Sequence, residues 1–279
     1  MKTEVSIEMN TKQNYINNND TETIFFDDFT SSDLNRSNWN VEVTGQVVNN
    51  EQQAYVDSEE TIYLSPGNKE ANGILVIHPR FQSGFQSPQG KSFDFISGRI
   101  NTRGKFQFTY GVVSARILLS AGSGLWPAFW SLGSKGPWPQ CGEIDIMENV
   151  GETDWASVAV HGPGYFGETP IVNKKYFSAD HSTATWHIYS VELTPSDGFV
   201  FRIDRELLYR VTPPMIDYYG RWVFSDSKYL ILNCALGGTY PYKTNGVNFP
   251  YLGIPEETVR LVQNNEAKML VDWVKVTKL

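Results

Sequence analysis

Three acidic side chains lie close together in the segment Cys141-Gly-Glu-Ile-Asp-Ile-Met-Glu-Asn149. In an extended strand successive side chains point to opposite faces, so Glu143 and Asp145 share one face and the isoleucines point the other way. Strict alternation would bury Glu148, and burial of a lone carboxylate is costly. A β-bulge near Met147 adds one residue and returns Glu148 to the acidic face. The sequence therefore predicts a bulged strand with three carboxyl groups on one side.

Two carboxyl groups on one strand face can divide the work of cleaving a glycosidic bond. We expect the heads of Glu143 and Glu148 to lie about 5 to 5.5 Å apart, as in glycosidases that retain the anomeric configuration. One carboxylate attacks the anomeric carbon, and the other protonates the leaving oxygen. Asp145 can hydrogen bond to the nucleophile, so the three groups should titrate as a unit. A solvated strand face is the alternative, which three like charges without an interleaved Lys or Arg disfavour.

The rest of the chain shows strand patterns that would position this segment. From Ile24 onward, short apolar or alternating runs are separated by turn residues, without long helical periodicity. This pattern indicates a β-sandwich or jelly roll in one domain, residues 24–279, after a polar segment, residues 1–23, that we expect to be a disordered tail or linker. The clearest strand patterns cover residues 73–78, 97–102, 111–119, 125–132, 143–148, 157–161, 186–193, 199–203, 229–236 and 267–277.

The composition narrows the kinds of partner that the chain can bind. Its 31 acidic and 23 basic side chains give a formal charge of -8, so it lacks the basic excess that nucleic acid or an anionic membrane would require. Aromatic residues make up 14% of the chain, which suggests rings lining a groove that binds sugars. Cys141 and Cys234 are too few for a disulfide framework, and the sequence leaves their pairing open. Neither an apolar run of membrane-spanning length nor an export signal is visible in the sequence as given.

Two segments carry a family resemblance. Gly142-Glu-Ile-Asp-Ile-Met-Glu-Asn149, preceded by Gly124-Leu-Trp-Pro-Ala-Phe-Trp-Ser-Leu-Gly133, resembles glycoside hydrolase family 16, and in particular its laminarinase branch. Weaker matches extend the similarity over residues 25–277. The resemblance implies a concanavalin-like jelly-roll sandwich of two antiparallel sheets with a concave substrate groove. By position, Glu143 would be the nucleophile, Glu148 the acid/base and Asp145 the helper.

Three tryptophans stand where their rings could meet a sugar. Trp126 and Trp130 lie at even spacing and so share one strand face, where flat rings can stack on the apolar faces of glucose units. Trp138 stands five residues before Glu143. A Trp in a β-protein is more often part of the core, and it is the resemblance that favours substrate binding for all three.

Four further side chains are candidates for hydrogen bonds to sugar hydroxyls. Arg99 and Asn101 share a polar strand face, although an ordinary exposed face would give the same pattern. By the resemblance, Asn50 matches a position that contacts sugar hydroxyls, and His161 matches a histidine close to the acid/base. Taken alone, an Asn in a loop usually makes a turn, and a His at a strand end is usually structural.

A structural calcium ion is a further implication of the resemblance, although the chemistry itself needs no cofactor. Asp272 shares strand parity with Leu270, Val274 and Val276, so a buried Asp272 would need a partner or a cation. Many family members place calcium there. Their N-terminal ligand is commonly a Glu, whereas the shorter Asp28 stands here, and an Asp272 held by amides or a salt bridge is the alternative.

Two other functions are compatible with the same fold. An agarase-type or carrageenase-type galactan hydrolase shares the inserted Met147, but a carrageenase should place several basic residues at the groove to meet sulfate, and only Arg80, Arg99 and Arg103 are available. A non-catalytic β-glucan-binding lectin typically lacks a catalytic acid, and all three are present. We therefore expect a secreted, monomeric, retaining endo-glucanase. Its substrate would be β-1,3-glucan (laminarin), with mixed-linkage β-1,3-1,4-glucan as a further substrate and no nucleic-acid or membrane partner.

Overall fold

The computed structural model describes residues 22–178 and 180–279, which form a sandwich of two large β-sheets. The sheet that carries the acidic segment is called the groove sheet. Its strands are β2 (Asn40–Val41), β8 (Arg99–Asn101), β10 (Leu125–Gly133), β11 (Glu143–Glu148), β12 (Trp155–His161), β13 (Ile171–Tyr176) and β17 (Lys228–Leu236). They are antiparallel in the order β13-β12-β11-β10-β17-β8-β2. The predicted all-β jelly-roll class is confirmed.

The second large sheet, called the back sheet, is also antiparallel. Its strands are β1 (Thr23–Asp27), β4 (Ile62–Pro66), β5 (Gly73–Ile77), β9 (Gly111–Leu119), β14 (His187–Thr194), β15 (Gly198–Ile203), β16 (Glu206–Val211) and β18 (Met269–Thr277). Seven of them follow the order β16-β15-β14-β9-β18-β5-β4, and β1 pairs with β18. β18, near the C-terminal end, thus pairs with β1 at the N-terminal end and with β5 and β9 in the middle of the back sheet.

A small third sheet contains the first residue of one predicted strand. It consists of β3 (Gln53–Tyr55), β6 (Arg80–Gln86) and β7 (Ser92–Ser97), with β3 and β7 parallel. The single strand predicted over residues 97–102 is therefore wrong, because the chain leaves β7 and enters β8 of the groove sheet at Gly98. A Cβ at Gly98 would lie 2.5 Å from the Ile62 side chain and 2.9 Å from the Thr61 carbonyl, so the crossing requires glycine.

The structure also contains short helices, which left no periodic signal in the sequence. They are α1 (Pro213–Tyr219), α2 (Thr239–Asn245) and α3 (Glu256–Gln263). In α3, Glu256 and Glu257 stand in the first turn, where negative charge favours a helix N-terminus, and Val259 and Val262 are buried. No helix in the described part of the chain has the length and apolar character needed to cross a membrane.

The two large sheets enclose one hydrophobic core. Phe129 and Ile144 from the groove sheet and Val113, Ile117 and Val274 from the back sheet are fully buried in it. Because side chains alternate along each strand, the outer face of the groove sheet is free to carry polar and aromatic groups.

Two sequence expectations concern the cysteines and the N-terminus. Cys141 and Cys234 are both buried and form no disulfide.

The predicted tail, residues 1–23, lies almost entirely outside the described residues. Its last residue, Thr23, already belongs to β1, where it pairs with Thr277.

Candidate active site

An extra residue in β11 decides which side chains face the groove. The three residue steps from Asp145 to Glu148 oppose only two steps on β10 and two on β12. Ile146 and Met147, inside this bulge, are buried in the core. Glu143 and Glu148 remain partly exposed on the other face. The bulge predicted near Met147 is confirmed, and it places Glu148 on the same face as the other two acids.

One end of β11 brings two acids together with a histidine. The Nε2 of His161 lies 3.2 Å from Oδ2 of Asp145 and 3.8 Å from Oε1 of Glu143. The backbone N–H of Gly167 donates to Nδ1 of His161 at 3.2 Å, and Nε2 faces the acids. The shortest acidic contacts of His161 are thus to Glu143 and Asp145, whereas the resemblance associated this histidine with Glu148.

Burial raises the pKa of all three carboxyl groups. Burial and the charge of Asp145 raise the pKa of Glu143 to about 8, while His161 acts in the opposite direction. Asp145 is 3% exposed, and burial together with the charge of Glu148 raises its pKa well above the ordinary value, although a hydrogen bond with Glu143 opposes this. The pKa of Glu148 is also raised by burial. Burial, and for Glu143 and Asp145 also the charge of a neighbouring carboxylate, therefore favours the protonated forms of these groups.

At the other end of β11, Glu148 is surrounded by a hydrogen-bond donor, a phenol and a cation. The Nε1 of Trp126 donates to Oε1 of Glu148 at 2.9 Å. This bond and the charges of His161 and Lys174 lower the pKa of Glu148 and so oppose the effect of burial. Trp126 packs edge-on against Tyr240, with ring centroids 5.4 Å apart. Trp126 thus lies beside the acidic cluster, with its N–H bound to an acid, and its role in substrate binding stays a prediction.

Trp130 faces the same groove, and its ring is fixed by a hydrogen bond and by a neighbouring guanidinium. Its Nε1 donates to Oδ1 of Asn233 at 2.7 Å, and the guanidinium of Arg99 lies 4.9 Å from its ring centroid. Asn233 donates in turn to the hydroxyl of Tyr55 at 3.1 Å. Arg99 forms an ion pair with Glu42 at 2.9 Å. These contacts fix the ring of Trp130 and neutralise the charge of Arg99.

Trp138 stands near Glu143, whereas Asn101 belongs to β8. Trp138 is 45% exposed, and its indole lowers the pKa of Glu143 by hydrogen bonding. Asn101 is buried, and its Oδ1 accepts hydrogen bonds from the Asn40 side chain and the Arg103 backbone, both at 3.1 Å. The Asn101 carbonyl is therefore engaged within the protein.

Asn50 stands apart from the acids, in a loop. Its φ of 58° is left-handed, and its side chain donates to Thr239 at 3.1 Å. Asn50 lines a cavity of about 330 Å³ together with Glu51, Asp94 and Tyr251. The structure thus assigns Asn50 the turn that its residue type favours and also a place at a cavity.

The residues at the expected calcium position do not fit a cation. Asp272 is 5% exposed, and its Oδ2 lies 2.6 Å from the Arg116 guanidinium while its Oδ1 accepts a hydrogen bond from the backbone of Asn72. The guanidinium neutralises this carboxylate and repels a metal ion from it. Asp28 accepts hydrogen bonds from the backbone and hydroxyl of Thr30. The partner of Asp272 is thus an arginine, which is the salt-bridge alternative left open by the sequence, and calcium binding by Asp28 and Asp272 stays a prediction that these contacts disfavour.

Sequence reasoning missed several side chains that complete the site. Asn233 stands in the middle of an apolar strand, where a polar residue needs a partner, so a signal for it existed. Lys174 and Tyr240 come from segments whose patterns give no sign of the groove. The Gln53 side chain donates a hydrogen bond to Oε2 of Glu51 at 2.8 Å, and burial raises the pKa of Glu51.

The chain is similar to known proteins in both sequence and structure. The model of the glycosyl hydrolases family 16 matches residues 35–220. A glucan endo-1,3-beta-glucosidase A1 from Niallia circulans is 30% identical over 243 residues, and a beta-glucanase from Rhodothermus marinus is 30% identical over 231 residues; each alignment covers 78% of this chain. The crystal structure of an endo-beta-1,3-glucanase from Pyrococcus furiosus superimposes with a TM-score of 0.80 at 32% identity, covering 92% of this chain and 94% of that one.

The extent of these matches differs between relatives. The alignments span 34% of the Niallia circulans protein and 77% of the Rhodothermus marinus protein. The family match nevertheless covers most of the domain, including β10, β11 and β12, which carry the acidic cluster. The chain belongs to glycosyl hydrolases family 16.

Proposed function

We propose that this chain hydrolyses β-1,3-glucan internally and with retention of the anomeric configuration. The observation that carries the proposal is the bulge in β11, which sets Glu143, Asp145 and Glu148 on the groove face while Ile146 and Met147 enter the core. A strand would not otherwise gather three like charges, because each raises the cost of ionising the next. Catalysis would explain why the fold keeps three acids on one face despite this cost.

The surroundings of each acid suggest its role. Burial and the charge of Glu148 raise the pKa of Asp145 well above its ordinary value. In the attacking state Glu143 has released its proton, and a protonated Asp145 donates a hydrogen bond that stabilises the Glu143 carboxylate for attack on the anomeric carbon. Glu148 protonates the leaving oxygen. When Glu143 becomes a neutral ester, its negative charge disappears and Glu148 can act as a base toward water. The bond from Trp126 and the charge of Lys174 favour this ionised form of Glu148.

The groove favours a neutral polysaccharide. Trp126 and Trp130 offer aromatic surface, and the Arg99 charge is neutralised by Glu42. A sulfated galactan would need unpaired cations instead. Two of the named relatives, from Niallia circulans and Pyrococcus furiosus, are described as an endo-1,3-beta-glucosidase and an endo-beta-1,3-glucanase, which supports that linkage for this chain. Mixed-linkage β-1,3-1,4-glucan has the same neutral chemistry and is proposed as a second substrate.

The experiment is product analysis on laminarin, lichenan, agarose and carrageenan in parallel. We expect oligosaccharides from laminarin at early times, a weaker reaction with lichenan, and β-anomers as the first products by NMR. Glu143→Ala should abolish hydrolysis while leaving oligosaccharide binding largely in place. Glu257→Ala, an exposed position in α3, is the control. First products with inverted anomers, or unchanged turnover of the Glu143 variant, would refute the assignment.

We also propose that the chain acts outside the cell as a monomer, since polymeric glucan does not enter cells. Hydrolysis of laminarin by culture supernatant and the elution volume of the purified protein test these two points. Activity confined to the cells, or elution at twice the expected mass, would contradict them.

A further inference from the structure

A polar row crosses three strands of the groove sheet beside the proposed acid/base. In register, Lys174 of β13 stands opposite Ser157 of β12, and Ser157 stands opposite Glu148 of β11. Neighbouring strands lie roughly 4.8 Å apart, so the Cα atoms of Lys174 and Glu148 are about 10 Å apart with their side chains on one face. A lysine side chain can carry its charge across most of that distance.

We propose that Lys174 is a positioning residue for Glu148, whose ammonium group supplies the fixed positive charge that eases release of the acid/base proton. The inference rests on the proposed function, because it assigns Lys174 a part in the proton transfers of Glu148. The charge of Lys174 would matter most in the second half of the reaction, when Glu148 must be ionised to activate water.

The position of the ammonium is fixed by aromatic rings. The Nζ of Lys174 lies 3.6 Å from the ring centroid of Trp155 and 5.8 Å from that of Tyr240. A cation over an indole face at this distance is attracted by the ring, more strongly where water is excluded. Trp155 is only 4% exposed, so the lysine covers a ring on which a sugar could otherwise stack.

The same rings connect Lys174 to the shell around Glu148. The hydroxyl of Ser157 donates to the backbone carbonyl of Glu148 at 3.2 Å and lies 3.3 Å from the hydroxyl of Tyr240. Tyr240 packs on Trp126, which donates to the Glu148 carboxylate. A change at Lys174 can therefore act on Glu148 through charge or through packing, and a test must separate the two.

The other charges around Glu148 give Lys174 a distinct role. β11 and β12 contribute acids and an imidazole, and β13 contributes Lys174, which lowers the pKa of Glu148. Burial lowers the pKa of Lys174 itself, and the charges of Glu152 and Asp154 raise it. The titratable and charged groups facing Glu148 from the surrounding elements are Glu143, Asp145, His161, Lys174 and Tyr240, with Glu152, Asp154 and Tyr176 behind them.

The test compares pH profiles of kcat/KM for laminarin in three variants. Lys174→Met keeps the aliphatic cover over Trp155 and removes the charge, Lys174→Arg keeps the charge, and Lys175→Met removes a neighbouring charge that is paired with Glu206. We expect the alkaline limb, which reports protonated Glu148, to move up by roughly half a pH unit in Lys174→Met, as loss of a partly screened charge at this distance implies. The other two variants should keep the wild-type limb.

Three results would overturn the inference: an unmoved limb in Lys174→Met, an equal shift in Lys174→Arg, or an equal shift in Lys175→Met. The second would indicate packing, and the third would indicate overall charge. Thermal unfolding checks each variant, and Lys174→Gln replaces Lys174→Met if the latter does not fold. If the wild-type protein cleaves no glucan, the proposed function fails; if it cleaves laminarin with unchanged variant profiles, only the inference about Lys174 fails.

Discussion

The two ends of β11 place the same residue type in different chemical surroundings. At one end Glu143 forms a hydrogen bond with Asp145 beside the imidazole of His161. At the other end Glu148 accepts a hydrogen bond from a buried indole and faces the cation of Lys174. Both environments are buried enough to raise the pKa, and each contains an indole donor, Trp138 at Glu143 and Trp126 at Glu148, but only Glu148 faces the cation of Lys174. Neighbours, and not residue type, thus separate the two glutamates to which we assign the roles of nucleophile and acid/base.

The largest expected effect separates the two glutamates by their dependence on the leaving group. Glu148→Gln should lower kcat/KM on laminarin by about 10³-fold, since protonation of the leaving oxygen is lost. With a dinitrophenyl glucoside, whose leaving group needs no proton, the loss in the pre-steady-state burst should shrink to below about tenfold. Glu143→Gln should lose at least about 10⁴-fold with both substrates, because no covalent intermediate can form.

Stopped-flow release of dinitrophenolate measures this difference, with the exposed Glu257→Gln as control. Equal losses for both glutamates on the activated substrate would remove the distinction between the two ends of β11. A larger loss at Glu148 than at Glu143 would exchange their roles.

A smaller effect tests whether Asp145 acts as a protonated donor. Asp145→Asn keeps a donor directed at Glu143 and should cost about tenfold in kcat, whereas Asp145→Ala removes the donor and should cost about 10²-fold to 10³-fold. Steady-state kinetics on laminarin at neutral pH gives both values. Equal losses in the two variants would show that Asp145 serves through its negative charge.

Much of this site could be predicted from the sequence because it lies within one strand. The parity of residues along β11 and the cost of burying Glu148 were enough to predict the bulge. Contacts between distant segments could not be predicted: nothing near Lys174 indicates that β13 lies two strands from β11. The same reason explains Asp272, whose parity predicted burial, while its partner Arg116 lies on another strand.

The fold was predictable to the level of class, and the two exceptions have different causes. Runs such as residues 111–119 and 143–148 coincide with β9 and β11 because alternation and flanking turns mark their limits. The strand predicted over residues 97–102 is divided because Gly98 carries the chain between two sheets, which alternation does not reveal. The three helices are short, so their periodicity was too brief to detect.

The pH dependence of stability gives a further contrast between the ends of β11. Burial raises the folded-state pKa of Glu143 from 4.5 to about 8, so the folded state binds a proton that the unfolded chain releases. That contribution is fully present below pH 4.5 and is lost as the pH rises through about 8. Glu143→Gln, which needs no proton, should therefore gain up to roughly 3 to 5 kcal/mol relative to wild type across this interval.

Thermal unfolding from pH 4 to pH 9 measures this gain, with Glu148→Gln as the matched variant. Because Trp126 and Lys174 favour ionised Glu148, its substitution should give a smaller gain over the same interval. Parallel curves for wild type and Glu143→Gln would show that Glu143 ionises in the folded protein as readily as in the unfolded chain.

The smallest expected effect compares the two indoles at the ends of β11. Trp126 donates to Glu148 at 2.9 Å from a half-buried position, whereas Trp138 acts on Glu143 from a position that is 45% exposed. Trp126→Phe should raise the alkaline limb of kcat/KM by about one pH unit, since a hydrogen bond to the ionised acid is lost. Trp138→Phe should raise the acid limb by less, about 0.3 unit, because water can replace the donor. Equal shifts of the same limb in both variants would mean that the carboxyl groups titrate as one indivisible cluster, and the two ends of β11 would then differ in position alone.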